Sequence, residues 1–397
     1  MSDPTFLELG VSAPVAETLA RTAIRLPFPI QMLVLPDALA GRDVLARSRT
    51  GSGKTLAFAL PIVERTDPKA TRPSTLVLVP TRELASQVAG DFFDIAAVKG
   101  LRVAAVYGGV GLSDQAGRAS RAHIVIATPG RLEDLAQRGL LKLEGIRVLV
   151  LDEADRMLDM GFQPQVDRIV RRLPKERQTM FFSATLDGEV GILARAYTKD
   201  ARLHEIQSRM ETVDEVEHRF VPVTDHGKVA ALADLIKSEH GTSLVFVRTK
   251  RGADRLVTKL KAHGVPAVAM HGDMRQSARE HALARFESGR IRTMVATDVA
   301  ARGLDLDDIS HVINFDPPTD HKDYVHRVGR TARAGRAGVG VTFVLPDQQS
   351  DVSRVAVRLK LHDEFQAEGM KVAPPRLVYA SKRGRRSQLA GRRGRRF

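Results

Sequence analysis

Four short, nearly unbroken apolar runs punctuate the first half of the chain: LVLVP at residues 76–80, HIVIA at 123–127, VLVL at 148–151 and TMFF at 179–182. Runs of this length without polar alternation predict strands buried on both faces, the condition of a parallel sheet. A second set follows at residues 243–247, 266–270, 293–296, 311–314 and 340–345. The segments between them carry apolar residues at helical spacing, so the chain reads as repeated strand–helix–strand units. Residues 205–217 are polar, rich in charge and without a strong apolar period, and they predict a connection between two α/β domains of similar size.

A length of 397 residues exceeds one ordinary core and agrees with two domains. At 43% hydrophobic and 27% charged residues the composition is that of a globular chain, and no run of 18 apolar residues offers a membrane span. Met1-Ser2-Asp3-Pro4 has no basic stretch leading into an apolar one, so secretion is not expected. With no cysteine, disulfides, thiolate zinc sites and a cysteine nucleophile drop out, and a reducing, cytoplasmic setting is expected. The net charge of +14 favours a polyanionic partner. That charge is unevenly spread, because residues 382–397 hold eight basic residues and no acid. Residues 373–397 are therefore expected to form a disordered basic tail, suited to non-specific contacts with a nucleic-acid backbone.

Candidate chemistry begins with Ser48-Arg49-Thr50-Gly51-Ser52-Gly53-Lys54-Thr55, which follows an apolar-leaning segment and precedes the helical run LAFAL. Glycines let such a loop curl its N–H groups toward phosphate oxygens, and the following helix adds its positive end. Lys54 would reach the β- and γ-phosphates and the Thr55 hydroxyl would bind Mg²⁺. The strict GxxxxGK[ST] pattern fails at its first position, where Ser48 stands. The run at 148–151 ends in Asp152-Glu153-Ala154-Asp155, which puts carboxylates where the Mg²⁺ of a P-loop ATPase sits. Asp152 would hold the metal and Glu153 would orient or deprotonate the attacking water. In isolation, four such residues after a strand are more often a solvated turn; the phosphate loop upstream favours the functional reading.

These motifs, with Pro80-Thr81-Arg82-Glu83-Leu84-Ala85, Gly108-Gly109, Thr128-Pro129-Gly130-Arg131 and Ser183-Ala184-Thr185, occur in the order and approximate spacing of the DEAD-box RNA helicases, and the chain resembles that family from about Phe6 to Gly340. Pro27-Phe28-Pro29-Ile30-Gln31 is similar to the family's Q motif, with Phe28 in place of the usual Thr and Ala23 in place of the usual Gly. The resemblance implies that Gln31 reads the adenine edge, with Phe6 at the upstream aromatic position. It also implies that Asp155, Ser183 and Thr185 couple ATP to RNA, and that Pro80, Thr81, Arg82, Gly109, Thr128 and Arg131 contact RNA. From the residues alone, the hydroxyls and N–H groups of these turns serve helix capping equally well.

In the second half, Thr297-Asp298-Val299-Ala300-Ala301-Arg302-Gly303-Leu304-Asp305 and His326-Arg327-Val328-Gly329-Arg330-Thr331-Ala332-Arg333 resemble motifs V and VI of the same family. Hydrolysis needs cations where charge develops on the γ-phosphate, and arginine supplies a planar fork that stays charged. Arg330 and Arg333, three apart, are expected to act as arginine fingers. By resemblance Asp305 would touch the ribose and Arg327 would tie its motif to the first domain's SAT or DEAD segments. Arg248, Thr249, Gly272, Gln276, Arg279 and Thr297 would contact RNA. His271 and His326 have no second ligand at metal spacing, so no zinc is expected.

The resemblance thus implies two RecA-like parallel-sheet domains joined by a short linker, with a disordered basic C-terminal tail. The expected divisions are a Q-motif region (1–32), an ATP-binding domain (33–205), the linker (206–217), a C-terminal helicase domain (218–372) and the tail (373–397). ATP and Mg²⁺ would bridge the domains on one side and single-stranded RNA on the other, in a monomer that separates short RNA duplexes locally. An ATP-gated RNA clamp, a DNA-directed motor and a nucleotide-dependent scaffold within a ribonucleoprotein remain open at this point.

Overall fold

In the computed structural model, the described residues are 4–48, 52–206, 216–301, 306, 309–332 and 338–372. Arg49, Thr50, Gly51, Asp305, Arg333, the tail and nearly all of the expected linker lie outside them. The strands of the first domain are β1 (Val44–Arg47), β2 (Thr75–Leu78), β3 (Val103–Val106), β4 (Ile124–Ala127), β5 (Val148–Leu151), β6 (Gln178–Ser183) and β7 (Arg202–Glu205). They form one parallel sheet in the order β3-β4-β2-β5-β6-β1-β7. The second domain contributes β8 (Val216–Pro222), β9 (Thr242–Phe246), β10 (Val268–Met270), β11 (Thr293–Ala296), β12 (Ile309–Asn314) and β13 (Gly338–Val344). These too are parallel, in the order β10-β11-β9-β12-β13-β8.

The unbroken apolar runs are explained by the layers on both faces of each sheet. Val77 and Val79 join one cluster with Phe58, Phe92 and Phe182, while Leu76 and Leu78 join the opposite one with Leu132 and Leu149. In the second domain Leu244 and Phe246 pack with Phe220 and Tyr324, and Val245 and Val247 pack with Leu256 and Leu260 on the other face. Each such side chain contributes roughly 1.5–3 kcal/mol on burial. Substituting a charge at any of these positions would strand it in a two-sided core.

Strand order sorts the chemistry. In parallel α/β sheets, ligands bind beyond the carboxyl ends of the strands. The segments that follow β2, β3 and β4 are the expected RNA motifs, and those that follow β1, β5 and β6 are the expected ATP motifs. Because β3-β4-β2 and β5-β6-β1 are contiguous blocks, the two groups occupy separate halves of one sheet edge. The second sheet repeats the division: Arg248, His271 and Thr297 follow the neighbouring strands β9, β10 and β11, and the helix His321–Val328 that leads to Arg330 follows β12.

Candidate nucleotide and nucleic-acid site

The phosphate loop leaves β1 and runs into the helix Lys54–Arg65. Ser48, where the strict pattern has glycine, continues the ladder: its N–H donates to the Ser183 carbonyl at 3.0 Å. Its hydroxyl accepts from the Ser52 hydroxyl at 3.1 Å, and its carbonyl accepts from Lys54 Nζ at 3.2 Å. Gly53 has φ +82°, a left-handed conformation that favours glycine. A Cβ there would also sit 2.7 Å from Gln31 Nε2 and 2.8 Å from Phe28 Cδ2. Lys54 is buried and Thr55 half-buried, at the start of a 12-residue helix whose free N–H groups suit phosphate.

Two residues expected to contact the nucleotide also have partners within the fold. Phe6 is a core residue, 3% exposed and in the cluster with Val11, Val15 and Leu19, so its ring helps to fold the N-terminal segment. Gln31 is fully buried, with Oε1 accepting the Phe28 N–H and Nε2 donating to the Gly53 carbonyl, both at 2.8 Å. Its amide braces the phosphate loop, which commits one hydrogen and one lone pair of those an adenine edge would use. The aromatic ring exposed beside the loop is that of Phe28.

After β5 the carboxylates are buried beside the loop. Asp152 donates its N–H to the Leu78 carbonyl and accepts the Glu153 N–H on Oδ1 at 3.0 Å. Burial pushes its carboxyl above the ordinary value and Glu153 adds to this, while Lys54 opposes it. Glu153 has φ +52°, rare for a residue with a side chain and a form of strain that clusters at functional sites. Burial would raise its carboxyl too, but the charges of Arg156, Lys54 and Arg330 outweigh it and hold the group below its ordinary range. Arg156 Nη1 lies 2.6 Å from Glu153 Oε2, with both side chains buried. This partner was missed in the sequence, although its i,i+3 spacing from Glu153 is legible. Arg330 comes from the second domain and is buried, and its charge acts on this first-domain carboxylate.

Asp155 Oδ2 accepts the Ala184 N–H at 3.2 Å, and the Ser183 hydroxyl accepts the Thr185 N–H at 3.3 Å, which ties the DEAD turn to the SAT turn. Arg327 does not make the expected tie to the first domain. Its guanidinium forks onto Asp298 at 2.6 and 2.7 Å and donates to Asn314 Oδ1 and the Asp316 carbonyl, all within the second domain. The bidentate carboxylate beside it satisfies the buried charge locally.

Among the expected RNA residues, the Thr81 and Thr249 hydroxyls cap the helices Arg82–Ala97 and Lys250–Ala262, accepting from the Leu84 and Gly252 N–H groups. Each keeps its O–H to donate. Thr128 and Thr297 are buried at the corresponding turns after β4 and β11, and Pro80 is buried. Arg131 donates to the Val110 carbonyl and Gln115 Oε1, while Arg248 is exposed. Gly109, at φ +89°, sits between the domains: a Cβ there would lie 2.5 Å from Arg82 Nη1 and 3.8 Å from Gln276 Cβ. Gly272 leaves room for the stem of Lys250. Arg279 departs from its expected RNA role. Its Nε lies 2.7 Å from Glu83 Oε1 of the first domain, and its Nη1 donates to the His271 carbonyl, with both charged side chains about nine-tenths buried. It joins the domains.

A phosphate loop, a buried carboxylate pair beside it and a buried arginine of a second parallel-sheet domain whose charge acts on Glu153 define a two-domain P-loop ATPase of the RecA-like kind. The DEAD/DEAH box helicase profile matches residues 28–191, and the helicase conserved C-terminal domain profile matches residues 227–335. The chain belongs to the DEAD-box ATP-dependent RNA helicase family. It is 41% identical over 344 residues to the DEAD-box ATP-dependent RNA helicase CshA of Geobacillus kaustophilus, covering 86% of this chain and 74% of that one. It is 40% identical over 369 residues to a putative ATP-dependent RNA helicase of Caenorhabditis elegans, covering 92% and 76%. S. cerevisiae Dbp5 bound to RNA and ADP BeF3 superposes with a TM-score of 0.81 at 31% identity, covering 91% of this chain and 94% of that chain.

Proposed function

We propose that this protein is an RNA-stimulated ATPase that binds single-stranded RNA across both domains, separates short duplexes locally and hydrolyses ATP to release them. What carries the reading is the buried Arg330 of the second domain, whose charge reaches the buried Glu153 beside the phosphate loop of the first. Neither domain alone presents both a hydrolytic carboxylate and the cation that would steady the γ-phosphate. ATP therefore favours the closed arrangement, and the superposition on a relative bound to RNA and ADP BeF3 supports that arrangement as the RNA-bound one.

In this reading Glu153 positions the water, Lys54 holds the β- and γ-phosphates with Ser48 to Thr55 around them, and Arg330 and Arg333 stabilise developing charge. Asp305 takes the ribose, and Gln31 holds the loop beneath the base. The Asp152 carboxylate and the Thr55 hydroxyl are hard oxygen donors that suit Mg²⁺, which when bound neutralises charge on the phosphates. On the other half of the sheet edge, Thr81, Arg82, Gly109, Thr128, Arg131, Arg248, Thr249, Gly272, Gln276 and Thr297 contact the sugar–phosphate backbone, which positions a strand without reading its sequence. Residues 33–205 and 218–372 act as the two moving bodies about the linker 206–217, and the tail 373–397 tethers RNA, in a cytoplasmic monomer. The test is ATP turnover with one sequence supplied as RNA and as DNA, together with displacement of a short RNA duplex. Stimulation by RNA alone, with displacement, is expected; equal stimulation by DNA would replace RNA with single strands in general.

A further inference from the structure

Beside the expected RNA path on the second domain lies an open cleft of about 750 Å³, a size that holds a nucleotide-scale ligand. The turn Pro317-Pro318 after β12 and the helix Gln349–Arg358 form its walls. Buried Pro317, Pro318, Val352 and Val355 supply an apolar floor, and Arg248, Arg354 and Arg358 supply cations. Arg354 pairs with Asp351 at 2.7 Å, yet its buried Nε has no acceptor. Arg248 and Arg358 are exposed, and among the described residues neither guanidinium meets a carboxylate; Arg358 reaches only His321 Nδ1, at 3.4 Å. Val372 also lines the cleft, so residues 373–397, with nine basic residues and no acid, begin at its wall.

We propose that this cleft is a second RNA site. It receives the strand after Arg248, seats a base on the proline and valine floor and places phosphate against Arg354 and Arg358. Asp320 and Asp351 also line the cleft, so its three arginines leave an excess of one positive charge above the apolar floor. An apolar surface with backbone-directed cations is how single strands are held without sequence choice. An acidic peptide would meet the same charges, but Arg248 lines both this cleft and the proposed RNA groove, which favours RNA as the occupant. The inference rests on the RNA reading above.

The test uses the full chain and single-stranded RNAs of increasing length. Arg358 is exposed in the last turn of its helix, so Arg358→Glu leaves the core packing alone. Short RNAs should bind the variant as they bind the parent, with unchanged ATP turnover at saturation, whereas long RNAs should lose affinity several-fold. Arg358→Ala should flatten the salt dependence for long RNA by about 0.7, the single-strand value for one phosphate, and Arg358→Lys should restore most of it. Long RNA carrying 4-thiouridine should photocrosslink within residues 348–358. Unchanged affinity and salt slope for long RNA in Arg358→Glu would overturn the proposal. So would a variant that loses binding of a polyglutamate peptide while binding long RNA as before, which would make the cleft a protein site. Failure of every RNA, short or long, to stimulate the parent would instead sink the RNA reading itself.

Discussion

Replacing Arg279 with Ala removes the buried cation that joins the second domain to Glu83 of the first. The two side chains are 9% and 10% exposed, with Nε and Oε1 2.7 Å apart. In the closed state the substitution strands the Glu83 carboxylate in a nearly dry interface; in an open state water can solvate it. The cost therefore falls on closure. Breaking one side of a buried ion pair costs ~3–5 kcal/mol, which converts to a shift of roughly 10²- to 4 × 10³-fold in the closing equilibrium at about 1.4 kcal/mol per decade. Energy transfer between dyes on the two domains, read in saturating RNA with a non-hydrolysable ATP analogue, measures the closed fraction directly. Glu83→Ala should reproduce the loss, and the double variant should recover part of it, because neither charge is then left alone. If Arg279 acted by touching RNA, Glu83→Ala would leave closure intact while Arg279→Ala weakened it. Full closure of Arg279→Ala at parental ligand concentrations would show that the Arg279–Glu83 pair does not hold the domains together.

Three further outcomes follow from the site. Glu153→Gln should slow ATP turnover by ~10²–10⁴-fold, the scale of a lost general base, while retaining nucleotide binding in equilibrium titration. Arg330→Ala should lower turnover by up to ~10³–10⁵-fold and leave nucleotide-free RNA binding near the parental value; lost RNA binding with normal turnover would remove it from the nucleotide cleft. Phe6→Ala should destabilise the first domain by about 3–5 kcal/mol in urea unfolding, with the KM for ATP unchanged under conditions where the variant stays folded; a raised KM at full folding would return Phe6 to the base.

The strands that were legible in the sequence are those buried on both faces. VLVL at residues 148–151 and the residues 293–296 coincide with β5 and β11, because a two-sided core demands an unbroken apolar run. β7, Arg202–Glu205, is an edge strand with three exposed residues and one half-buried, so it carries no such signal, and β8 starts at Val216, inside the stretch expected to be linker. β3, VAAV, was too short and too rich in alanine to stand out from a helix. The order of the phosphate loop and DEAD motifs was readable because glycine geometry and strand-end carboxylates are local properties. What a side chain does with its free end was not. Arg279 and Arg327 look alike as arginines in basic motifs, yet one reaches Glu83, 196 residues away in the chain, and the other turns inward to Asp298. Phe6 reads as an available aromatic until the packing of Val11 and Val15 around it is known.

If ATP and RNA each complete a site only when the domains close, each must tighten the other. The direct measurement is RNA affinity with and without a saturating non-hydrolysable ATP analogue, and analogue affinity with and without RNA. Both should improve by the same factor, roughly 5- to 150-fold for a coupling of ordinary size. RNA binding that ignores the analogue would contradict the account, since a cleft that closes on both ligands cannot leave them independent.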